Sequence, residues 1–217
     1  MIIPRRCLKL IKNDLRTGGY LINSLPTNSI KGIIDIGACY GIFSILARLL
    51  HPDSKILAVE PHPQSYASLV ENTSNLGIDT LNVAYGNGKS FILEKERKTP
   101  LCNRYNLSDN LSDNIVKSYT LAQILHKGRM DPSLTLIKLD CEGAEKYLLE
   151  EPEVISKVKV LSFEVHKTSG LNLKDFFIKI HDILYISHHL SIVYSTSKLG
   201  FINCIKKDFI KEYNLKY

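Results

Sequence analysis

The sequence predicts an α/β fold, a mostly parallel sheet with helices on both faces, and three observations predict it. Apolar runs of strand length alternate with stretches of helical period, the pattern of successive β-α-β units. A glycine-bearing loop, "DIGACYG" at 35–41, stands between the first of those strands and its helix. No Pro-, Gly- or Ser-rich linker divides the chain, and 217 residues can bury one sizeable core but are short for two ordinary domains.

Each element follows in turn. Residues 1–31 precede the sheet as a helical or lid segment, with "TGGYLINSLP" placed to cover the site, and 32–217 form a single domain. "GIIDIGA" (32–38) is the first strand, a helix starts at Gly41, "KILAVE" (55–60) is the second strand, and the next helix ends at Gly77, a natural C-terminal glycine. "TLNVA" (80–84) is a short strand, followed by a turn and an accessory hairpin strand in "GNGKSFILEKERK". Periodicity is lost from 95 to 117, where the tandem "LSDNLSDN" (107–114) is rich in turn formers and reads as a loop beside the site. A helix at 120–128, a strand at 134–140, a helix from Ala144 interrupted at Pro152 and a strand at 158–166 continue the alternation. After a helix at 173–187, strands at 189–195 and 201–207 are joined by a short turn that suits an antiparallel hairpin.

Composition narrows the setting. Hydrophobic residues at 44% and charged residues at 23% are those of a globular chain, and no apolar stretch reaches the ~18 residues of a membrane span. With no apolar leader at its start, the chain is expected in the cytoplasm, as a monomer or a homo-oligomer. Five cysteines, at 7, 39, 102, 141 and 204, show no C-x-x-C spacing, which argues against both a disulfide framework and a structural zinc site. A net charge of +6 with scattered basic residues is met by a solvated surface at least as well as by nucleic acid.

The glycine loop limits its ligand. A dinucleotide fingerprint needs a glycine where Cys39 stands, and a P-loop needs a lysine that the loop lacks. What remains is Asp35 at a strand end, Gly37 for a tight turn, and Gly41 where the helix starts close to the sheet. Glu60, closing the second strand, can accept two ribose hydroxyls. S-adenosylmethionine meets this description, with its cationic amino-acid end near Asp35, its ribose near Glu60, and Ala38 and Tyr40 lining the loop.

"IIDIGACYGIFSI", "AVEPHPQSYASLVEN", "YTLAQIL" and "LIKLDCEGAEKYLL" follow one another, and with "FEVH" at the end of the next strand the chain resembles the FkbM family of S-adenosylmethionine-dependent methyltransferases over about residues 32–166. The resemblance implies a class I methyltransferase fold, a Rossmann-like seven-stranded sheet with an antiparallel last strand, and O-methylation of sugars or other hydroxylated metabolites. The chain departs from the family where Cys39-Tyr40 replaces the usual small polar residue or asparagine.

Ligands of an open parallel sheet sit beyond the carboxyl ends of its strands. Alternation puts Lys138 and Asp140 on one face, with Cys141 turned away, and Glu164 and His166 together on the next strand. Asp140, Glu142, Glu164 and His166 are therefore the expected catalytic set. His166, Asp140 or Glu142 would take the acceptor proton, and the four together have the ligand chemistry of Mg²⁺ or Mn²⁺. Glu145 is expected to favour the helix dipole, and Lys138 to serve a neighbouring carboxylate or the site itself. His62, His126, His181, His188 and His189 are expected on the surface, and Tyr185, Tyr194 and "DFFIKI" in the core. The leading function is sugar O-methylation. An RNA methyltransferase and a methyltransferase-like binding module without turnover are the alternatives; for base-amino methylation an Asn- or Asp-Pro-Pro-aromatic turn would be expected where "DCEG" stands.

Overall fold

A computed structural model describes residues 20–93, 105–107, 115–166, 172–195 and 199–216. In chain order it contains β1 (Gly32–Ile36), α1 (Ile42–Leu50), β2 (Lys55–Val59), α2 (Pro63–Thr73), β3 (Ile78–Leu81), β4 (Ala84–Tyr85), β5 (Ser90–Leu93), β6 (Tyr105–Leu107), β7 (Ile115–Tyr119) and α3 (Leu121–Gly128). There follow a 3₁₀ turn (Pro132–Leu134), β8 (Thr135–Leu139), a 3₁₀ helix (Ala144–Glu150), α4 (Pro152–Ile155), β9 (Val160–His166), α5 (Leu173–Leu184), β10 (His188–Ser195), β11 (Leu199–Lys206) and α6 (Lys207–Tyr213).

Seven strands form the main sheet in the order β10-β11-β9-β8-β1-β2-β3. β3, β2, β1, β8 and β9 pair in parallel, while β11 runs antiparallel between β9 and β10. The central strands are buried along their whole length because both faces are covered, and their side chains are apolar except Asp35 in β1 and Thr135 and Lys138 in β8. Ile34, Ile36, Leu57, Val59, Ile137, Leu139 and Phe163 face a core closed by α3, the Ala144–Glu150 helix and α5. Ile33, Ile56, Leu136 and Val160 face the opposite side, covered by α1, α6 and residues 20–30. Local chemistry fixes the helix starts. Thr120 and Gln123 form a reciprocal capping box on α3, and His62 caps α2 ahead of Pro63.

Several expectations are corrected. The strand read at 80–84 is two: β3 ends at Leu81 in the main sheet, and β4 pairs with β7 in a second sheet ordered β4-β7-β5-β6. That sheet places β6 and part of β7 in the stretch that carries no periodicity in the sequence. The helix read from Ala144 is a 3₁₀ helix, and Pro152 begins a fresh short helix, since its ring fits a first turn. His62 and His188 are buried rather than on the surface, each held by hydrogen bonds, and Tyr185 is 49% exposed rather than core. Residues 1–19, and the "LSDNLSDN" repeat beyond Leu107, lie outside the described residues.

Candidate functional site

On the α1-covered face, each central strand starts apolar and ends polar. β1 passes from Ile33 to Asp35, β2 from Ile56 to Glu60 just past its end, β8 from Leu136 through Lys138 to Asp140, and β9 from Val160 through Ser162 to Glu164 and His166. Period-2 alternation in a parallel sheet carries all of these to one edge. Register then joins them sideways: Asp35 is the Cα partner of Lys138, Lys138 of Ser162, and Ser162 of Asn203.

Asp35 is fully buried, and its carboxylate is already engaged. Oδ1 lies 3.0 Å from Lys138 Nζ, and Oδ2 accepts the Ser44 hydroxyl at 2.7 Å. Lys138 also donates to the Gly37 carbonyl at 2.9 Å, tying β8 to the glycine loop. Burial works against the ammonium, but Asp35 first and Asp140 next outweigh it and raise its pKa. Asp35 thus holds the loop from inside the sheet. A side chain at Gly37 (φ +79°) would place Cβ 1.9 Å from the Asp140 carbonyl, so glycine lets β1 and β8 end side by side. At Gly41 (φ +84°) the close neighbour is Leu69 of α2, at 2.7 Å, rather than the sheet. Ala38 and Tyr40 are buried, and the Tyr40 carbonyl accepts Asn72 Nδ2 at 3.0 Å.

Glu60 clamps two turns. Its Oε2 accepts the Cys39 N–H and its Oε1 the His62 N–H, each at 2.8 Å. Burial is the larger influence, so its pKa rises to about 7 despite both bonds and the charge of Lys138. A carboxylate has about four acceptor sites, leaving two for ribose hydroxyls. The residues therefore fit the ribose that the sequence led one to expect there.

The second corner lies at the ends of β8 and β9. Asp140, Glu164 and His166 each offer one ligand atom, all within 4.8 Å of one another. Glu142 is drawn in through His166, whose Nε2 lies 3.8 Å from Glu142 Oε1. Glu142 itself has a φ of +53°, the left-handed region that non-glycine residues seldom occupy, so the turn before Gly143 is strained. Glu145 does more than meet a helix dipole. Fully buried, it accepts the N–H groups of Cys141 at 2.8 Å and Gly143 at 2.9 Å, and it sits 3.5 Å from His166 Nδ1. Burial opposes charge on His166, but Glu145 first, then Asp140 and Glu142, raise it to about 9, so the ring is an imidazolium at neutral pH.

Three contributors escape a reading of the sequence alone: Ser44, the buried function of Glu145, and Tyr20, whose hydroxyl donates to Asp140 Oδ2 at 3.2 Å. Ser44 lies one helical turn past the glycine loop, which is a usable signal. Tyr20 lies in "TGGYLINSLP", the segment expected to cover the site, but no spacing singles it out there.

Comparison with known proteins follows the same lines. The Methyltransferase FkbM domain matches residues 35–201. None of the curated proteins matches the chain in sequence. An FkbM methyltransferase from Methylobacillus flagellatus KT superposes with a TM-score of 0.59 at 16% identity, over 87% of this chain and 47% of that one, so the chain spans about half its length. A precorrin-6y C5,15-methyltransferase from Geobacter metallireducens GS-15 gives 0.53 at 14% identity, over 89% and 88%. The METTL16 methyltransferase domain gives 0.51 at 14%, over 94% and 70%. These likenesses identify the fold as that of the class I methyltransferases. No helix among the described residues is long and apolar enough to cross a membrane.

Proposed function

Since the chain belongs to the FkbM methyltransferase family, we propose that it is an S-adenosylmethionine-dependent O-methyltransferase whose acceptor is a hydroxyl of a sugar, in a glycan or a glycosylated metabolite. The observation that carries this reading is the corner of Asp140, Glu164 and His166, gathered within 4.8 Å at the edge where the glycine loop also ends. Carboxylates and an imidazolium bind neutral polyols through many hydrogen bonds. The carboxylates of Asp140, Glu142 and Glu164 outnumber that one cation and repel a polyanion, which sets this corner against RNA despite the overall charge of +6. An intact Glu60 clamp and glycine loop argue against a module that has lost its ligand.

The bound cofactor supplies an electrophilic methyl on a sulfonium. Glu60 receives the ribose, while Asp35 and Lys138 keep the glycine loop in place behind it. Asp140 takes the proton of the acceptor hydroxyl as the new C–O bond forms and the C–S bond breaks, with the electron pair retained by sulfur. His166 as an imidazolium does not serve as that base; it orients the acceptor and is itself held by Glu145 and Glu142. The donor set Asp140, Glu164 and His166, with Glu142 beside it, would also hold Mg²⁺ or Mn²⁺ if His166 gave up its ring proton to the solvent on binding, and the ion would polarise the acceptor oxygen there.

The test is transfer from labelled S-adenosylmethionine to a panel of hexose and deoxy-sugar glycosides and to bulk RNA, each with Mg²⁺ or Mn²⁺ and with EDTA. Transfer to a glycoside is expected, and Asp140→Asn should abolish it with cofactor affinity retained. Loss of transfer with EDTA would assign the corner to a metal. Transfer to RNA alone would replace the sugar with a polynucleotide.

A further inference from the structure

We infer that Tyr20 is a positioning residue of this site, supplied by the segment that precedes the sheet and acting through Asp140. The inference rests on the reading of Asp140 as the group that meets the acceptor. Its ground is the place of one side chain: Tyr20 is 7% exposed, and its hydroxyl donates to Asp140 Oδ2 at 3.2 Å across 120 positions of sequence.

The ring is held from three sides, each belonging to an element that carries part of the site. The Lys138 ammonium lies 5.4 Å from the ring centroid, on the strand that ends at Asp140. Phe43 of α1, the helix launched by the glycine loop, meets it edge-on at 5.6 Å. Phe201 of β11 meets it at 4.8 Å and is the Cα register partner of Glu164. Aromatic pairs in edge-to-face geometry fix a ring more closely than area burial alone. A ring fixed in this way holds its hydroxyl at a set point, and the hydroxyl fixes the rotation of the Asp140 carboxylate.

Asp140 is only partly buried and follows the last residue of β8, where the ladder no longer restrains it. Its backbone N–H reaches Ile36 at 3.0 Å, which sets the main chain but leaves the side-chain torsions to other groups. A hydrogen bond from a hydroxyl to a carboxylate constrains direction as well as distance, and at 3.2 Å this one steers the carboxylate rather than binding it tightly. Tyr20 therefore gives the acceptor a carboxylate already turned toward its proton, the pre-organisation on which proximity catalysis depends.

Tyr20→Phe removes the hydroxyl and keeps the ring packing, so the fold should survive, with a melting temperature within about 2 °C of wild type. Turnover on the glycoside found above should fall about tenfold while the Kd for S-adenosylhomocysteine stays within about threefold, the pattern of a group needed in the transition state. Crystal structures of wild type and Tyr20→Phe, each with S-adenosylhomocysteine, should show Asp140 turned away in the variant.

Unchanged turnover in Tyr20→Phe, or an unmoved Asp140 in a variant that has lost turnover, would overturn the inference. If wild type transfers methyl to nothing in the panel, the proposed function falls, and the two crystal structures still decide whether Tyr20 sets Asp140.

Discussion

Asp35 and Lys138 are the residues whose chemistry is easiest to misassign from sequence. An acidic residue at the end of β1 reads as a cofactor ligand, yet Asp35 is buried against Lys138 at 3.0 Å and Ser44 at 2.7 Å. Removing one partner of such a pair leaves an uncompensated charge in the interior, which costs about 3–5 kcal/mol, whereas replacing both with apolar groups is often near neutral. Asp35→Ala should therefore lower the unfolding free energy by about 3–5 kcal/mol, measured by denaturant titration. The pair Asp35→Ala with Lys138→Met should regain most of it. A stable Asp35→Ala chain whose cofactor affinity alone collapses would return Asp35 to direct contact with the ligand. Glu145 teaches the same lesson. Its place in a first helical turn suggested a dipole effect, and only the turn after β8 shows it receiving two backbone N–H groups.

At the level of elements, β10 illustrates how tertiary context sets a residue's charge. His188 opens the strand opposite Lys206, its Nε2–H donating to the Val158 carbonyl at 2.8 Å and its Nδ1 accepting the Ser187 hydroxyl at 2.7 Å. Burial, with Lys206 and Lys207 adding to it, lowers its pKa to about 4. The unfolded chain then binds more protons between pH 6.5 and 4, so this contribution is present above 6.5 and is lost as pH falls, by as much as about 3 kcal/mol. Glu60 has the opposite sign, because its folded pKa of about 7 exceeds the unfolded value and its ionisation costs stability as pH rises. The two effects overlap in wild type and are separated by difference. The stability gap between wild type and His188→Gln, from urea unfolding, should shrink from pH 7 to pH 4; a gap independent of pH would show that folding leaves the imidazole pKa unshifted. The strands and helices of the main sheet were legible because burial on two faces leaves mostly apolar runs and capping residues mark the starts of α2, α3 and α5. Of the second sheet only β5 was legible, inside the expected accessory hairpin strand; β4 and β6 are two and three residues long, and β4 pairs with the distant β7, so no local period records them.

Across the whole molecule, the candidate site was half legible. The glycine loop, Glu60 and the ends of β8 and β9 stand in the sequence because strand ends converge on one edge. Tyr20 does not, because its partner Asp140 lies 120 positions away and only tertiary packing brings the two together, whereas Ser44 is one helical turn past the loop it holds. Glu60 connects the site to the stability of the entire fold. In the absence of ligand its ionised form is costly: burial raises the pKa to about 7, with Asp35 adding to the rise and Lys138 opposing it. Ribose hydroxyls donate to a carboxylate and favour that ionised form, so the pKa falls on binding and affinity must rise with pH up to about 7 and level off above it. At pH 6 about one tenth of Glu60 is ionised in the free protein, which weakens binding about tenfold, or about 1.4 kcal/mol. A ligand at 100 times its Kd stabilises the native state by about 2.7 kcal/mol, and each kcal/mol moves the melting temperature of a chain this size by about 2–4 °C. S-adenosylhomocysteine held at one concentration should therefore raise the melting temperature by several degrees at pH 8 and by about 3–5 °C less at pH 6. Glu60→Gln should remove the pH dependence along with most of the shift. An equal shift at both pH values in wild type would mean that the ribose does not rest on Glu60.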